Sequence, residues 1–173
     1  MLKTKNAYIM IETLIAIIVF SVAMIGLLSL QLVSLNSAQN SGNRFSANNY
    51  AYDLVDKMRS NQDGAGFDYY TAGTKANNSC RATNYNTTNA VINCNSQQMA
   101  QDDLQEFFSQ VASLPNGQAV VCLDSQKSQG TPTSPNCNGL GTAVVIKIFW
   151  KDSSSKAIAS NDGFSQLIVG AEI

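Results

Sequence analysis

Residues 7–35, AYIMIETLIAIIVFSVAMIGLLSLQLVSL, are apolar at nearly every position. The stretch holds one ionisable side chain, Glu12, no proline and one glycine, Gly26. About twenty such residues are enough to cross a bilayer core, and in lipid a lone segment must be helical to satisfy its own backbone. A carboxylate near one end of such a span is costly there, which marks Glu12 as a functional candidate. Beyond Leu30 the unbroken apolar run gives way to a recurrence. Leu32, Leu35, Phe45, Tyr52, Val55 and Met58 return at rough helical spacing with polar residues between them. The pattern predicts one helix from about Tyr8 to about Arg59, apolar all round in its first half and amphipathic in its second. Ser41-Gly42 is expected to weaken it, and Asn61 to Gly66, NQDGAG, to stop it. The amphipathic half is expected to pack on a C-terminal sheet.

Phe67 to Asn95 shows neither helical nor alternating periodicity and is expected to be a loop. Asn95 to Leu114 predicts a second helix, with an apolar stripe of Leu104, Phe107, Phe108, Val111 and Leu114. Asn95 can cap it, with Gln98 placed to reach back in a capping box. Pro115-Asn116-Gly117 ends it. Asp102 and Asp103 on this helix are read as a solvated polar face. Three strands are expected after that, at Gln118–Leu123, Thr142–Lys151 and Phe164–Ile173. In the second, Ile146, Ile148 and Trp150 alternate with Lys147, Phe149 and Lys151. An antiparallel meander packed on a helix is the simplest closure. The expected fold class is α+β.

Composition narrows the chemistry. Lys plus Arg number 11 and Asp plus Glu 12, with no basic block beyond Lys3 and Lys5, so there is no nucleic-acid footprint. The chain has no histidine, which removes the commonest general base and metal ligand. No nucleophile–base pair, phosphate loop or metal cluster is visible, so neither an enzyme nor a bound cofactor is expected. The Asn-x-Ser/Thr triplets at Asn77 and Asn86 are discounted, because such a polar region produces them by composition. The four cysteines are Cys80, Cys94, Cys122 and Cys137. An even count in an exported polar domain points to two disulfides. Four cysteines allow three connectivities. The local pairs Cys80–Cys94 and Cys122–Cys137 are favoured, since each staples a long irregular segment for about 3 kcal/mol.

The short leader with Lys3 and Lys5, the small residue Ala7, the aromatic Tyr8, three apolar residues and then Glu12 resemble the prepilin signal of type IV pilins and type II secretion pseudopilins. That family usually has Gly before its cleavage point and Phe or Met after it; Ala7 and Tyr8 stand there in this chain. A second set of residues resembles the PilV-type minor pilins: Cys80 and Cys94, Met99-Ala100, Asp102-Asp103-Leu104, Leu114-Pro115-Asn116-Gly117 and Phe149-Trp150-Lys151-Asp152. The resemblance implies a type IV pilin fold and a division into a leader (1–7), a membrane or filament-core segment (8–35), an amphipathic half-helix (36–60) and a globular head (61–173). It implies cleavage after Ala7, N-methylation of Tyr8, and an inner-membrane subunit with a periplasmic head that passes into an extracellular pilus. Lys3 and Lys5 place the leader in the cytoplasm.

The same resemblance gives Glu12 an assembly role. A charge buried in an apolar medium must be neutralised or paired. A cut after Ala7 frees an α-amino group that can pair with Glu12 of a neighbouring subunit and set the axial register of otherwise sliding helices. The implied partners are other minor pilins, the major pilin, a pilus tip adhesin, the prepilin peptidase and an inner-membrane assembly platform. Two alternatives stand beside a minor pilin that primes assembly near the tip and serves motility, adhesion or DNA uptake. One is a type II secretion pseudopilin, and the other a membrane-anchored module whose Asn/Thr-rich loop grips a ligand.

Overall fold

A computed structural model describes residues 3–61, 66–71, 94–141, 143–152 and 163–171. Three helices and three strands follow in order: α1 (Lys3–Ser60), α2 (Gly66–Thr71), α3 (Ser96–Val111), β1 (Gln118–Leu123), β2 (Val144–Trp150) and β3 (Ser165–Ala171). The chain divides into two units, residues 1–39 and 40–173. The first is helical throughout its described residues. Helix α1 starts earlier than the apolar pattern suggests, taking in residues 3–7. It also runs without interruption through Ser41-Gly42, where the sequence was expected to weaken it. Nothing lies within 4 Å of a Cβ built on Gly42, so no packing constraint demands a glycine there.

The second unit contains the core. From α1, the buried residues are Ala47, Ala51, Leu54, Val55 and Met58, a helical stripe at i, i+4, i+7, i+8 and i+11. Phe45 and Tyr52, read from the sequence as part of the amphipathic stripe, point away from this core and are exposed. The small residues Ala47 and Ala51 take the inward positions instead. Helix α3 contributes Ala100, Leu104, Phe107 and Val111, followed by Leu114. Phe108, expected in the same stripe, is exposed; Phe107 beside it is the inward ring.

Helix α3 begins as its sequence predicts. Asn95 Oδ1 accepts from the Gln98 N–H at 2.8 Å, and Gln98 Oε1 accepts from the Asn95 N–H at 3.0 Å, satisfying two orphan donors reciprocally. Its end is fixed by Leu114-Pro115-Asn116-Gly117. The Gly117 N–H donates to the Leu114 carbonyl at 2.9 Å. A Cβ on Gly117 would lie 1.9 Å from the Val111 carbonyl oxygen, so only glycine fits. The Lys151 N–H then donates to the Pro115 carbonyl at 2.8 Å, tying this turn to the end of β2. The residues carrying the PilV resemblance in these two stretches therefore meet in space as a turn and its anchor.

Among the described residues, the segment expected to be a loop from Phe67 holds most of one element, the short helix α2. Its Tyr70 is buried in the core. Six residues are too few for periodicity to reveal a helix, and a single aromatic does not announce one. The remainder of that segment, 72–93, including Cys80, lies outside the described residues.

The sheet is an antiparallel meander with order β1-β2-β3. Val121 pairs with Ile146, and Ile146 with Val169; Val120 pairs with Lys147, and Lys147 with Ile168. One face presents Val121, Val144, Ile146, Ile148 and Trp150 to the helical core. The other carries Val145, Lys147 and Phe149, and these are buried as well. The central strand is thus covered on both sides, as a sheet sandwiched between two layers requires.

Candidate assembly segment

The candidate site is the exposed apolar length of α1, set beside the polar contacts that hold the head together. Between Tyr8 and Leu35 the large apolar side chains are 52% to 80% exposed. The helix is long and apolar enough to cross a membrane by length and composition. Its hydroxyls turn inward: Thr13 Oγ1 donates to the Met10 carbonyl at 2.9 Å, Ser21 Oγ to Ile17 at 2.7 Å and Ser29 Oγ to Ile25 at 3.1 Å. Such back-bonding satisfies polar groups where a helix has no water to turn to. Glu12 is exposed on this helix four residues after Tyr8, which places both on one helical face. Ala7 lies within α1 immediately before Tyr8.

Of the cysteines, Cys122 and Cys137 form a disulfide with Cα atoms 6.2 Å apart. Cys94 is also disulfide-bonded. Cys80, and with it the expected Cys80–Cys94 pair, lies outside the described residues. Among the described residues no group of three or more Cys, Asp or Glu side chains gathers as a metal site would.

A network missed in the sequence joins the three helices. The Tyr70 hydroxyl donates to Asp103 Oδ2 at 2.8 Å. Asn61 Nδ2 donates to the Ser96 carbonyl at 2.8 Å and to the Tyr70 hydroxyl at 3.3 Å. Lys57 Nζ lies 2.8 Å from Asp53 and 2.7 Å from Glu106, linking α1 to α3. Asp103 is therefore not on a solvated face, as its sequence context suggested. Burial raises its carboxyl above the usual range, against the opposing Tyr70 hydrogen bond and the Lys57 charge. Burial likewise raises the Tyr70 phenol. Both groups join α2 to α3.

The second missed feature is under the sheet. Lys147 Nζ lies 2.7 Å from Asp124 Oδ2, and both side chains are sealed from solvent. The hydrogen bond from Lys147 holds the Asp124 carboxyl below its usual range despite burial, helped by the backbone N–H groups of Gln126 and Ser128. A lysine in an alternating strand normally signals a wet face; here residues 124–141 cover it.

Residues 29–105 match the model of the Tt1218-like family, described as type IV pilin Tt1218. The match supports a type IV pilin, a structural and non-enzymatic kind of protein that assembles with others of its kind. It takes in the later part of α1, all of α2 and most of α3, and it begins well after Glu12. The long N-terminal helix, three-stranded antiparallel sheet and disulfide are consistent with the type IV pilin α+β fold, and the apolar helix fits membrane anchoring. No curated protein and no solved structure matches the chain.

Proposed function

We propose that this chain is a minor pilin of a type IV pilus, PilV-like, that is cleaved after Ala7, methylated on Tyr8 and placed in register by Glu12. In this reading residues 8–35 anchor the subunit in the inner membrane with its head in the periplasm and then enter the filament core. The subunit joins other minor pilins and a tip adhesin in priming assembly, and it performs no catalysis. One observation carries the proposal. The Ala7–Glu12 signal and the pilin-like stretch 29–105 are disjoint in sequence, yet both point to the same kind of subunit. The exposed apolar surface of residues 8–35 supports it, since a large apolar helix surface calls for lipid or neighbouring helices.

The test is mass spectrometry of the protein recovered from sheared surface filaments and from membranes. The reading expects a mature chain beginning at N-methylated Tyr8 in both fractions. An intact leader, a cut beyond the apolar run, or absence from filaments would overturn it. Deleting the gene should reduce surface pili; a defect in protein secretion with normal pili would favour the pseudopilin instead.

A further inference from the structure

Residues 124–141 cover Lys147 without any hydrophobic anchor of their own. Within 125–141 only Gly130 is buried, and the one large aliphatic side chain, Leu140, is 65% exposed. Hydrophobic burial is therefore not what seats this segment on the sheet. Two backbone contacts help: the Gly139 N–H donates to the Leu123 carbonyl at 3.0 Å, and the Gly130 N–H to Gln166 Oε1 at 3.3 Å. The dense contact is at the ammonium. Lys147 Nζ donates to Asp124 Oδ2 at 2.7 Å and to the carbonyls of Ser128 at 2.9 Å, Pro135 at 2.8 Å and Asn136 at 3.2 Å. Its three protons are shared among four acceptors. Those acceptors lie inside the loop that the disulfide closes, at both of its ends. Asp124 stands two residues after Cys122, and Asn136 immediately precedes Cys137.

We propose that Lys147 sorts the cysteines: its buried ammonium draws residues 124 and 136 together before any covalent bond exists, and so selects Cys137 as the partner of Cys122. A sorting device is needed because chain statistics are weak. Loop-closure entropy grows slowly with length, so it prefers the Cys122–Cys137 loop over a Cys94–Cys122 loop by only a few-fold. The chemistry is ordinary exchange. The Cys122 thiolate attacks an external disulfide such as oxidised glutathione and expels one thiolate. The Cys137 thiolate then attacks the Cys122 sulfur of the mixed disulfide and expels the second. Two protein thiols are oxidised, one external disulfide is reduced to two thiols, and the two protons released pass to the leaving thiolates. Lys147 exchanges neither proton nor electron; it is a positioning residue that raises the local concentration of Cys137. The proposal stands independently of the pilin reading.

The test uses the full chain in detergent, reduced, unfolded and returned to a mixture of reduced and oxidised glutathione. Free thiols are alkylated at intervals and the bonded peptides mapped. Removing one member of a buried pair also strands the other's charge, so Lys147→Met is read beside the double variant Lys147→Met/Asp124→Leu, which replaces both with apolar groups. The expected result is nearly complete Cys122–Cys137 pairing in the unaltered protein. Both variants should divide Cys122 among Cys80, Cys94 and Cys137, with native pairing slowed and reduced at least twofold. The double variant reaching native pairing at the unaltered rate and yield would overturn the proposal, even if the single variant scrambled. So would equal scrambling of the unaltered chain.

Discussion

The Tyr70 hydroxyl donates to Asp103 Oδ2 at 2.8 Å, fastening the short helix α2 to α3. Without that donor a half-buried carboxylate loses its nearest partner, and leaving such a group unmet costs more than the bond itself contributes. Tyr70→Phe should keep the ring in the core and lower stability by about 1–2 kcal/mol. Chemical denaturation of the full chain in detergent measures it; an unchanged midpoint would mean the bond contributes nothing.

Asp124 sets a pH dependence of definite sign. Its native carboxyl titrates below the usual value of 3.8, so the unfolded chain binds the proton more readily. Its contribution is complete above that value and is lost as pH falls through the lower native one. Asp103, raised by burial, acts in the opposite sense and favours the fold as pH drops. Asp124→Asn should therefore flatten the loss of stability below pH 3.8, read from melting curves across acid pH. An unaltered acid limb would contradict the assignment.

Gly117 is expected to be the least replaceable turn residue. An added Cβ meets the Val111 carbonyl oxygen at 1.9 Å, and the backbone there is held by the α3 C-terminus and by Lys151. Gly117→Ala should cost about 2–4 kcal/mol, in the range of strained or overpacked substitutions. Gly42→Ala, facing open space, should be neutral or slightly stabilising by comparison. Thermal melts of the two variants compare them directly.

For Glu12 the expected loss is one of assembly. A pair with a neighbour's amine at about 4 Å and an effective dielectric near 20 is worth about 4 kcal/mol, and 1.4 kcal/mol already changes an equilibrium tenfold. Glu12→Ala should leave the membrane fraction unchanged and cut the amount in sheared pili at least about tenfold. Quantitative immunoblots of both fractions settle it.

Phe45 and Tyr52 supply a contrasting test. Both are exposed and lie opposite the buried stripe of α1. Replacing both with Ser should move stability by less than about 1 kcal/mol, as exposed substitutions do. If neighbouring subunits cover them, the pilus fraction should fall several-fold while melting stays the same. Equal incorporation would leave that face in solvent.

These contrasts show which layers of the structure the sequence reveals. The apolar run, the Asn95–Gln98 capping box, the turn at Gly117 and the three strands depend on near neighbours, and local pattern is enough to read them. The contributions of Ala47, Tyr70, Asp103 and Lys147 depend on what lies across a packed layer. Alanine carries little hydrophobic signal, so the apolar pattern counts Phe45 and Tyr52 beside Val55 and Met58 and passes over Ala47 and Ala51. Lysine carries a polar one, so the covered face of β2 was hidden by the very residue that organises it. The Glu12 reading rests on residue type and spacing, since the partner proposed for it belongs to another molecule.

Helix α1 begins at Lys3, with no acidic residue in its first turn and with Lys3 and Lys5 near the positive end of its dipole. Those charges oppose the field, so the opening turns are the ones most readily frayed. In the proposed reading a peptidase cuts the Ala7–Tyr8 bond, which lies inside the helix. Cations near the helix start then lower the work of unwinding that bond, and the new N-terminus is relieved of them.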